Sequence, residues 1–140
     1  MSGGIDSAFC AAVAVDALGK DKVEAYMLPS NYTSENSTID AEDCANRLEI
    51  NLETIPISDT FLSLEESLKT SFKGLPNDIT EENLQSRIRG TILMAISNKK
   101  GKMLITTGNK SEVSVGYSTL YGDMNGGFNP IKDIYKTELY

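Results

Sequence analysis

Apolar residues recur at the spacing of an amphipathic helix in four stretches of the chain. The first stretch meets Gly19, and glycine commonly ends a helix because it adopts the left-handed conformation at little cost. The last stretch carries acidic residues in its first turn and is followed by Gly101, which predicts both of its ends. In chain order, the predicted helices cover Ile5–Leu18, about Ile39–Leu48 with Ser37 or Thr38 as its cap, roughly 60–72, and the stretch from a capping Thr80 to Gly101.

Short apolar runs between these helices predict strands. They are Val23–Leu28, Leu52–Ile57 and Met103–Thr107, the last of them buried. Helices that alternate with short strands indicate an α/β fold with a parallel sheet. Because ligands bind at the carboxyl ends of parallel strands, we expect the loops at Pro29-Ser30, Ser58-Asp59 and Thr107-Gly108 to share one edge. Residues Asn31–Ser37 and the polar region from Gly108 onward are predicted as loops, the second as a functional surface.

Composition narrows the classes of function. The chain has 140 residues, 40% of them apolar, which suits one globular domain with a real core. Its 13 basic and 20 acidic residues give a net charge of −7, which argues against general nucleic-acid binding. The absence of histidine excludes Ser-His-Asp and Cys-His catalysis. Cys10 and Cys44 fall in predicted helices and are expected to be reduced thiols, and without a signal peptide or a long apolar run we expect a cytoplasmic protein without a membrane segment.

The start of the chain, Ser2-Gly3-Gly4-Ile5-Asp6-Ser7, has the composition of a phosphate-binding loop. Adjacent glycines allow a sharp turn and a close approach to a ligand, and the helix that follows offers unpaired N–H groups and the positive end of its dipole. The hydroxyls of Ser2 and Ser7 can donate to phosphate, and Asp6 can hold a divalent cation. The loop lacks the Gly-Lys-Ser/Thr ending of a P-loop and the Gly-x-Gly-x-x-Gly spacing of a dinucleotide-binding loop.

Three later segments carry side chains of matching chemistry. Asn83 and Arg87 are four residues apart and therefore share a helix face, where Arg87 is suited to a phosphate or carboxylate. Thr107 follows a predicted strand and can donate to a phosphate or a base edge, while Glu112 can hold Mg²⁺ opposite Asp6. Lys136 lies close to the end of the chain and can reach a phosphate.

The sequence Ser-Gly-Gly-x-Asp-Ser resembles the motif of the ATP pyrophosphatases, and the whole set of segments resembles NAD⁺ synthetase. The Tyr-Ser-Thr-Leu-Tyr run at 117–121 looks more like the synthetase domain of glutamine-dependent members than the ammonia-only form. The matching stretches are Ser2–Ala8, Met27–Ser34 with Glu35, Asn83–Arg87, Thr106–Glu112 and Tyr117–Lys136.

The resemblance implies a three-layer α/β/α fold with a mostly parallel sheet, like that of the adenine nucleotide alpha hydrolases. We expect residues 1–140 to be one such domain, incomplete at both ends, with its first strand and its C-terminal part missing. The implied reaction is ATP-dependent amidation of deamido-NAD⁺ through an adenylated intermediate, with ammonia, drawn from glutamine in the intact enzyme, as the nitrogen source. A homodimer or higher oligomer is implied as well.

The resemblance also assigns residues, all in this sequence's numbering. The implied roles are Asp6 as a catalytic residue; Ser2, Gly3, Gly4, Ile5, Asp6, Ser7, Thr107 and Lys136 as ATP contacts; Asn83, Arg87 and Glu112 as deamido-NAD⁺ contacts; and Asp6 and Glu112 as ligands of Mg²⁺. The adenine is expected beside the loop that follows Met27-Leu28.

Other interpretations fit part of the sequence. The loop at Ser2–Ser7 occurs equally in other amidating ligases of the superfamily, of the GMP synthetase or asparagine synthetase kind. An inactive domain that only binds nucleotide or a partner chain would keep the same motifs. An α/β domain whose glycine-rich start is purely structural is the third alternative.

Overall fold

A computed structural model describes all residues from Met1 to Tyr140. The helices are α1 (Ile5–Leu18), α2 (Glu35–Arg47), α3 (Ser58–Leu68), α4 (Ile79–Lys100) and α5 (Lys110–Val115), and the strands are β1 (Glu24–Met27) and β2 (Asn51–Thr54). Single 3₁₀ turns occupy Lys20–Lys22 and Lys136–Glu138. None of the helices is both long enough and apolar enough to span a membrane.

The two strands form a small parallel sheet, as the alternation of elements predicted. β1 and β2 pair in register from Glu24 opposite Asn51 to Met27 opposite Thr54, and α2 makes the crossover between them. The pairing continues past β2, since the Ile55 N–H donates to the Met27 carbonyl at 2.8 Å. The predicted strand Leu52–Ile57 therefore begins one residue and ends three residues later than the observed strand, and its parallel pairing is confirmed.

Helices cover both faces of this sheet because successive strand residues point to opposite sides. Ala25 packs with α1 and α2, whereas Tyr26 and Leu28 pack against α3 and α4. The two buried clusters are Ala11, Ala25, Ala45 and Ile50 on one face, and Leu28, Ile57, Phe61 and Ile88 on the other. A third cluster joins α1 to the C-terminal segment through Cys10, Ile131 and Leu139.

Two predicted helix caps are wrong. α2 begins four residues before the predicted start, because the Ser34 hydroxyl accepts from the Ser37 N–H at 3.1 Å and makes Ser34 the cap. In α4 the cap is Asp78, which accepts from the Thr80 N–H at 2.7 Å. Glu81 completes a capping box with the Asp78 N–H at 2.8 Å, a pairing stronger than the one a threonine at position 80 offers.

Other predicted boundaries differ less. The first helix has the predicted bounds, and Gly101 ends α4 in the left-handed conformation with φ 64°. α3 ends at Leu68 instead of continuing to residue 72, and turns follow it up to Gly74. Asn31–Ser37 is a loop only as far as Ser34, and the predicted loop after Gly108 contains the short helix α5.

The segment Met103–Thr107 is not the buried strand that its composition predicted. It makes only an isolated bridge between Ile105 and Phe128, and the Met103 side chain is 70% exposed. The Thr106 N–H donates to the Phe128 carbonyl at 2.9 Å, so one edge of the segment is paired. The segment and β1 line the same large cavity and do not pair with each other.

Both cysteines lie in helices, as predicted, and neither forms a disulfide. Cys10 is buried beneath the C-terminal segment, and Cys44 is half-buried in α2. Burial, with a smaller contribution from the charge of Asp6, raises the pKa of the Cys10 thiol to about 11. Cys10 is thus protonated at neutral pH and acts as a small apolar residue in the core.

We expect Ser34→Ala to lower the free energy of unfolding by ~1 kcal/mol, because the first turn of α2 loses its side-chain cap. Urea unfolding followed by circular dichroism measures this change. Thr38→Ala is the matched control, since the structure gives Thr38 no capping bond, and we expect it to be close to neutral. Equal losses in the two variants would contradict the assignment of Ser34 as the cap.

Candidate functional site

The glycine-rich loop forms a tight, internally bonded turn at the N-terminus of α1. The Ser7 hydroxyl donates to the Gly4 carbonyl at 3.0 Å and accepts from the Ser2 N–H at 3.2 Å. Gly3 has φ 80°, and a Cβ built on it would lie 2.4 Å from the Ser37 carbonyl oxygen in α2. Only glycine fits there, so the loop is docked closely on the first turn of α2.

Asp6 is the point where three distant parts of the chain meet. One carboxylate oxygen, Oδ1, accepts from Asn109 Nδ2 at 2.9 Å, and the other, Oδ2, accepts from Lys136 Nζ at 3.0 Å. The Asp6 side chain is only 16% exposed, and its first-turn position in α1 is favourable for a carboxylate. The structure therefore brings together two of the residues that the sequence singled out, 130 positions apart.

Asn109 is a residue of this site that the sequence reasoning missed. It is fully buried, and while its amide nitrogen bonds Asp6, its Oδ1 accepts from the Glu112 N–H at 3.0 Å. In return, Glu112 Oε2 accepts from the Asn109 N–H at 3.1 Å, which completes a capping box at the start of α5. The Asn-x-x-Glu spacing at 109–112 is the sequence signal of this capping box, in a region whose polar composition predicts a loop.

Lys136 is held in place by backbone contacts of its own segment. Its N–H donates to the Ser111 hydroxyl at 3.1 Å, and the Lys110 N–H donates to the Ile134 carbonyl at 2.9 Å. The hydrogen bond to Asp6 raises the pKa of Lys136, and the charges of Asp6 and Glu112 add to this shift. Because the folded pKa lies above the usual 10.5, the ion pair stabilises the fold below pH 10.5 and is lost as the pH rises through the raised value.

Asn83 and Arg87 lie on α4 and contact the segment 117–125 rather than the Asp6 cluster. Asn83 Oδ1 accepts from the Thr119 hydroxyl at 3.0 Å, and Arg87 Nε donates to the Leu120 carbonyl at 3.2 Å. The segment lies so close to α4 that a Cβ on Gly90 would be 2.9 Å from the Gly122 carbonyl oxygen. No hydrogen bond or ion pair joins this second group of predicted residues to Asp6.

A cavity of about 1330 Å³ runs along the edge of β1, is lined by residues of both faces of that strand, and reaches the glycine-rich loop. This volume exceeds the ~300–1,000 Å³ of typical small-molecule sites. Of the predicted site residues, Ser2, Ser7, Asn83 and Thr107 line the cavity, whereas Asp6, Arg87, Glu112 and Lys136 do not. Hydroxyl side chains are concentrated where the loop meets α2, namely Ser2, Ser7, Thr33, Ser34 and Ser37.

The donor chemistry at Asp6 and Glu112 fits a hard divalent cation. Both are carboxylates, and Mg²⁺ is usually held by one or two carboxylates together with water and substrate phosphates. Nowhere does the chain gather three or more His, Cys, Asp or Glu residues that could hold a metal by themselves. A cation here would thus need oxygen atoms from a bound ligand, and it would compete with Lys136 for Asp6.

Comparisons with known proteins agree on one family. The sequence model of NAD synthase matches residues 1–140. The chain is 57% identical to a glutamine-dependent NAD(+) synthetase of Rhodobacter capsulatus over 140 residues, which are 100% of the chain and 25% of the relative. The chain therefore spans about a quarter of the length of such curated relatives.

Solved structures give the same result. The glutamine-dependent NAD+ synthetase from Acinetobacter baumannii, in complex with adenosine diphosphate, superposes with a TM-score of 0.97 at 51% identity and matches 99% of the chain and 26% of its own length. The NH3-dependent NAD synthetase from Campylobacter jejuni superposes with a TM-score of 0.88 at 32% identity and matches 99% of the chain and 58% of its own length.

We expect Asn109→Ala to lower the free energy of unfolding by ~2–3 kcal/mol, because it removes a buried hydrogen bond to a carboxylate and a helix cap together. Denaturant unfolding at neutral pH measures the loss. Asn109→Asp is a second variant for the same test. It places a carboxylate beside Asp6, and the repulsion between the two carboxylates raises their pKa in the folded protein above that in the unfolded chain.

This variant should lose stability relative to Asn109→Ala as the pH rises above ~4, the usual pKa of aspartate. A pH-independent difference between the two variants would contradict the contact with Asp6.

Proposed function

Since the chain belongs to the NAD synthase family, we propose that the protein amidates deamido-NAD⁺ to NAD⁺ at the expense of ATP. The observation that carries the proposal is the convergence of Asp6, Asn109 and Lys136 at the N-terminus of α1, beside the glycine-rich loop. This arrangement places an anion-binding helix terminus, a carboxylate and a lysine together. The adenosine diphosphate in the Acinetobacter baumannii relative supports an adenine nucleotide as the ligand.

In the proposed first step, a carboxylate oxygen of deamido-NAD⁺ attacks the α-phosphorus of ATP. The bond from that phosphorus to the bridging oxygen breaks, pyrophosphate leaves, and an acyl adenylate forms. In the second step, the nitrogen of ammonia attacks the acyl carbon, the nitrogen loses a proton, and AMP leaves with its electron pair. Adenylation is needed because a free carboxylate has no good leaving group.

Residues Ser2 to Ser7 bind the phosphates in this proposal. The first-turn N–H groups of α1 have no partner within the helix and can donate to phosphate oxygens, and the serine hydroxyls can add to them. Lys136 lies 3.0 Å from Asp6 and can transfer its hydrogen bond to a phosphate, while Thr107 donates from the cavity wall. Such transfers depend mainly on positioning and on charge stabilisation, which require no histidine.

Asp6 and Glu112 would hold Mg²⁺, which supplies positive charge to offset the charge that develops on the leaving pyrophosphate. Asp6 is the catalytic residue of the proposal because its carboxylate touches this ion. Asn83, Arg87 and Glu112 bind deamido-NAD⁺, and Arg87 keeps its Nη nitrogens for this role because only its Nε is engaged by Leu120. The adenine lies beside the loop after Leu28.

The proposal also includes the nitrogen source, the oligomeric state and the cellular location of the protein. Ammonia comes from glutamine in the intact enzyme, a proposal supported by the curated relatives, which are named as glutamine-dependent. A homodimer or higher oligomer completes the substrate site, and the protein works in the cytoplasm.

One observation favours a second candidate function, nucleotide binding without turnover. Both Asp6 oxygens already accept hydrogen bonds from protein donors, and Glu112 Oε2 accepts one from the Asn109 N–H. A cation at Asp6 would share this carboxylate with Asn109 and would compete with the Lys136 ammonium for it. Separate measurements of AMP release and of ATP binding therefore distinguish the two candidate functions.

We expect the purified chain to release AMP from ATP only when deamido-NAD⁺, Mg²⁺ and ammonium are all present. Chromatographic measurement of AMP, with each component omitted in turn, checks this. AMP that forms equally well without deamido-NAD⁺ would contradict the proposed substrate. ATP binding with no AMP under any condition would favour the second candidate.

Asp6→Asn and Glu112→Gln are expected to abolish Mg²⁺-dependent ATP binding, because each replaces an anionic oxygen with a neutral amide of the same size. Titration calorimetry with ATP, with and without Mg²⁺, gives the readout. Cys10→Ala is the control, since it removes a thiol that is protonated at neutral pH and so changes no charge near Asp6; it should leave the affinity unchanged. Wild-type affinity in both amide variants would rule out the metal assignment.

A further inference from the structure

A second arginine of α4, Arg89, has no role in the site described so far. Two residues along a helix turn the side chain through about 200°, so Arg89 and Arg87 leave the helix on nearly opposite sides. Arg87 is exposed and reaches the Leu120 carbonyl, whereas Arg89 is half-buried and lines the large cavity. The two arginines therefore meet different surroundings.

Arg89 is fixed at the carboxyl end of β1. Its Nε donates to the Leu28 carbonyl at 2.9 Å, one residue past the last residue of the strand. In parallel sheets, ligands bind outside this end of the strands. Three hydroxyl side chains line the same cavity. They belong to Ser86 of the preceding helical turn and to Thr33 and Ser34 of the loop after β1.

The charge of Arg89 is not neutralised within the chain. No carboxylate oxygen lies within 4.0 Å of its guanidinium, and the bond to Leu28 uses only one of its three nitrogens. Of the three lysines of the cavity wall, Lys100 and Lys102 pair with Glu24, whereas Lys22 makes no ion pair. Burial lowers the pKa of Arg89, which is the mark of a desolvated charge without a compensating anion.

We propose that Arg89 binds a phosphate group of the nucleotide in this cavity through its two Nη nitrogens. This inference rests on the proposed function for the identity of the nucleotide, and it adds an anion contact from α4 to the contacts of the Ser2–Ser7 loop. A planar guanidinium matches two phosphate oxygens at once. An anion there would offset the cost of keeping the charge partly buried.

The competing explanation is structural: Arg89 serves only to bond the Leu28 carbonyl. Arg89→Gln removes the charge and keeps a neutral donor, and Arg89→Lys keeps the charge without the planar fork. Arg47→Gln is the matched control, because it removes one positive charge from an exposed helix position where Arg47 pairs with Asp43. Unfolding midpoints of the unliganded variants show whether each one folds.

The experiment is titration calorimetry of the 140-residue chain with ATP, AMP and uncharged adenosine. We expect Arg89→Gln to weaken ATP binding about tenfold or more, the effect of losing a charge-assisted hydrogen bond. Adenosine affinity should stay at the wild-type value, Arg89→Lys should be intermediate for ATP, and Arg47→Gln should match the wild type for all three ligands.

Three results would overturn the inference: unchanged ATP affinity in Arg89→Gln, equal losses for ATP and adenosine, or no ATP binding by the wild-type chain. If Arg89→Gln does not fold, Arg89→Lys decides by the same comparison of ATP with adenosine. A wild-type chain that binds ATP in an Arg89-dependent manner but releases no AMP would refute the proposed reaction and leave the phosphate contact standing.

Discussion

The carboxylate of Asp6 is the contact on which the arrangement of the site depends. A mostly buried charge is costly unless hydrogen bonds and an opposite charge compensate it. Asn109 supplies the hydrogen bond and Lys136 the charge, so residues from both ends of the chain are held at the N-terminus of α1. Removing either partner would leave Asp6 short of a donor in surroundings that admit little water.

The apolar packing under Asp6 supports this polar junction. Cys10 lies one turn further along α1 and packs with Ile131 and Leu139, the two buried residues on either side of Lys136. The buried cluster brings the C-terminal segment to α1, and the ion pair then sets its position. The capping box of α5 adds a third tie, because the same Asn109 side chain that bonds Asp6 also fixes Glu112.

A second constraint acts on the other side of the sheet. Arg89 donates to the Leu28 carbonyl at the end of β1. Three further side chains of α4 form hydrogen bonds with the segment 117–125, namely Asn83, Ser86 and Arg87. The cavity extends between these two regions, with the hydroxyl-rich loop at one end and α4 along its wall. A ligand as long as a dinucleotide or a nucleoside triphosphate would thus meet hydroxyl groups at one end of the cavity and the Arg89 guanidinium along its wall.

The sequence by itself determined the helix periodicity, the parallel α/β class and the family, because these follow from spacing and local motifs. The predicted starts of α2 and α4 are wrong, since caps depend on which side chain reaches a free N–H group, and the strand predicted at Met103–Thr107 makes only an isolated bridge to Phe128. Only the tertiary structure decided that Asn109 belongs to the site, that Asn83 and Arg87 contact a loop, and that Arg89 lines the cavity. These facts arise from contacts between residues far apart in the chain, for which local spacing carries no signal.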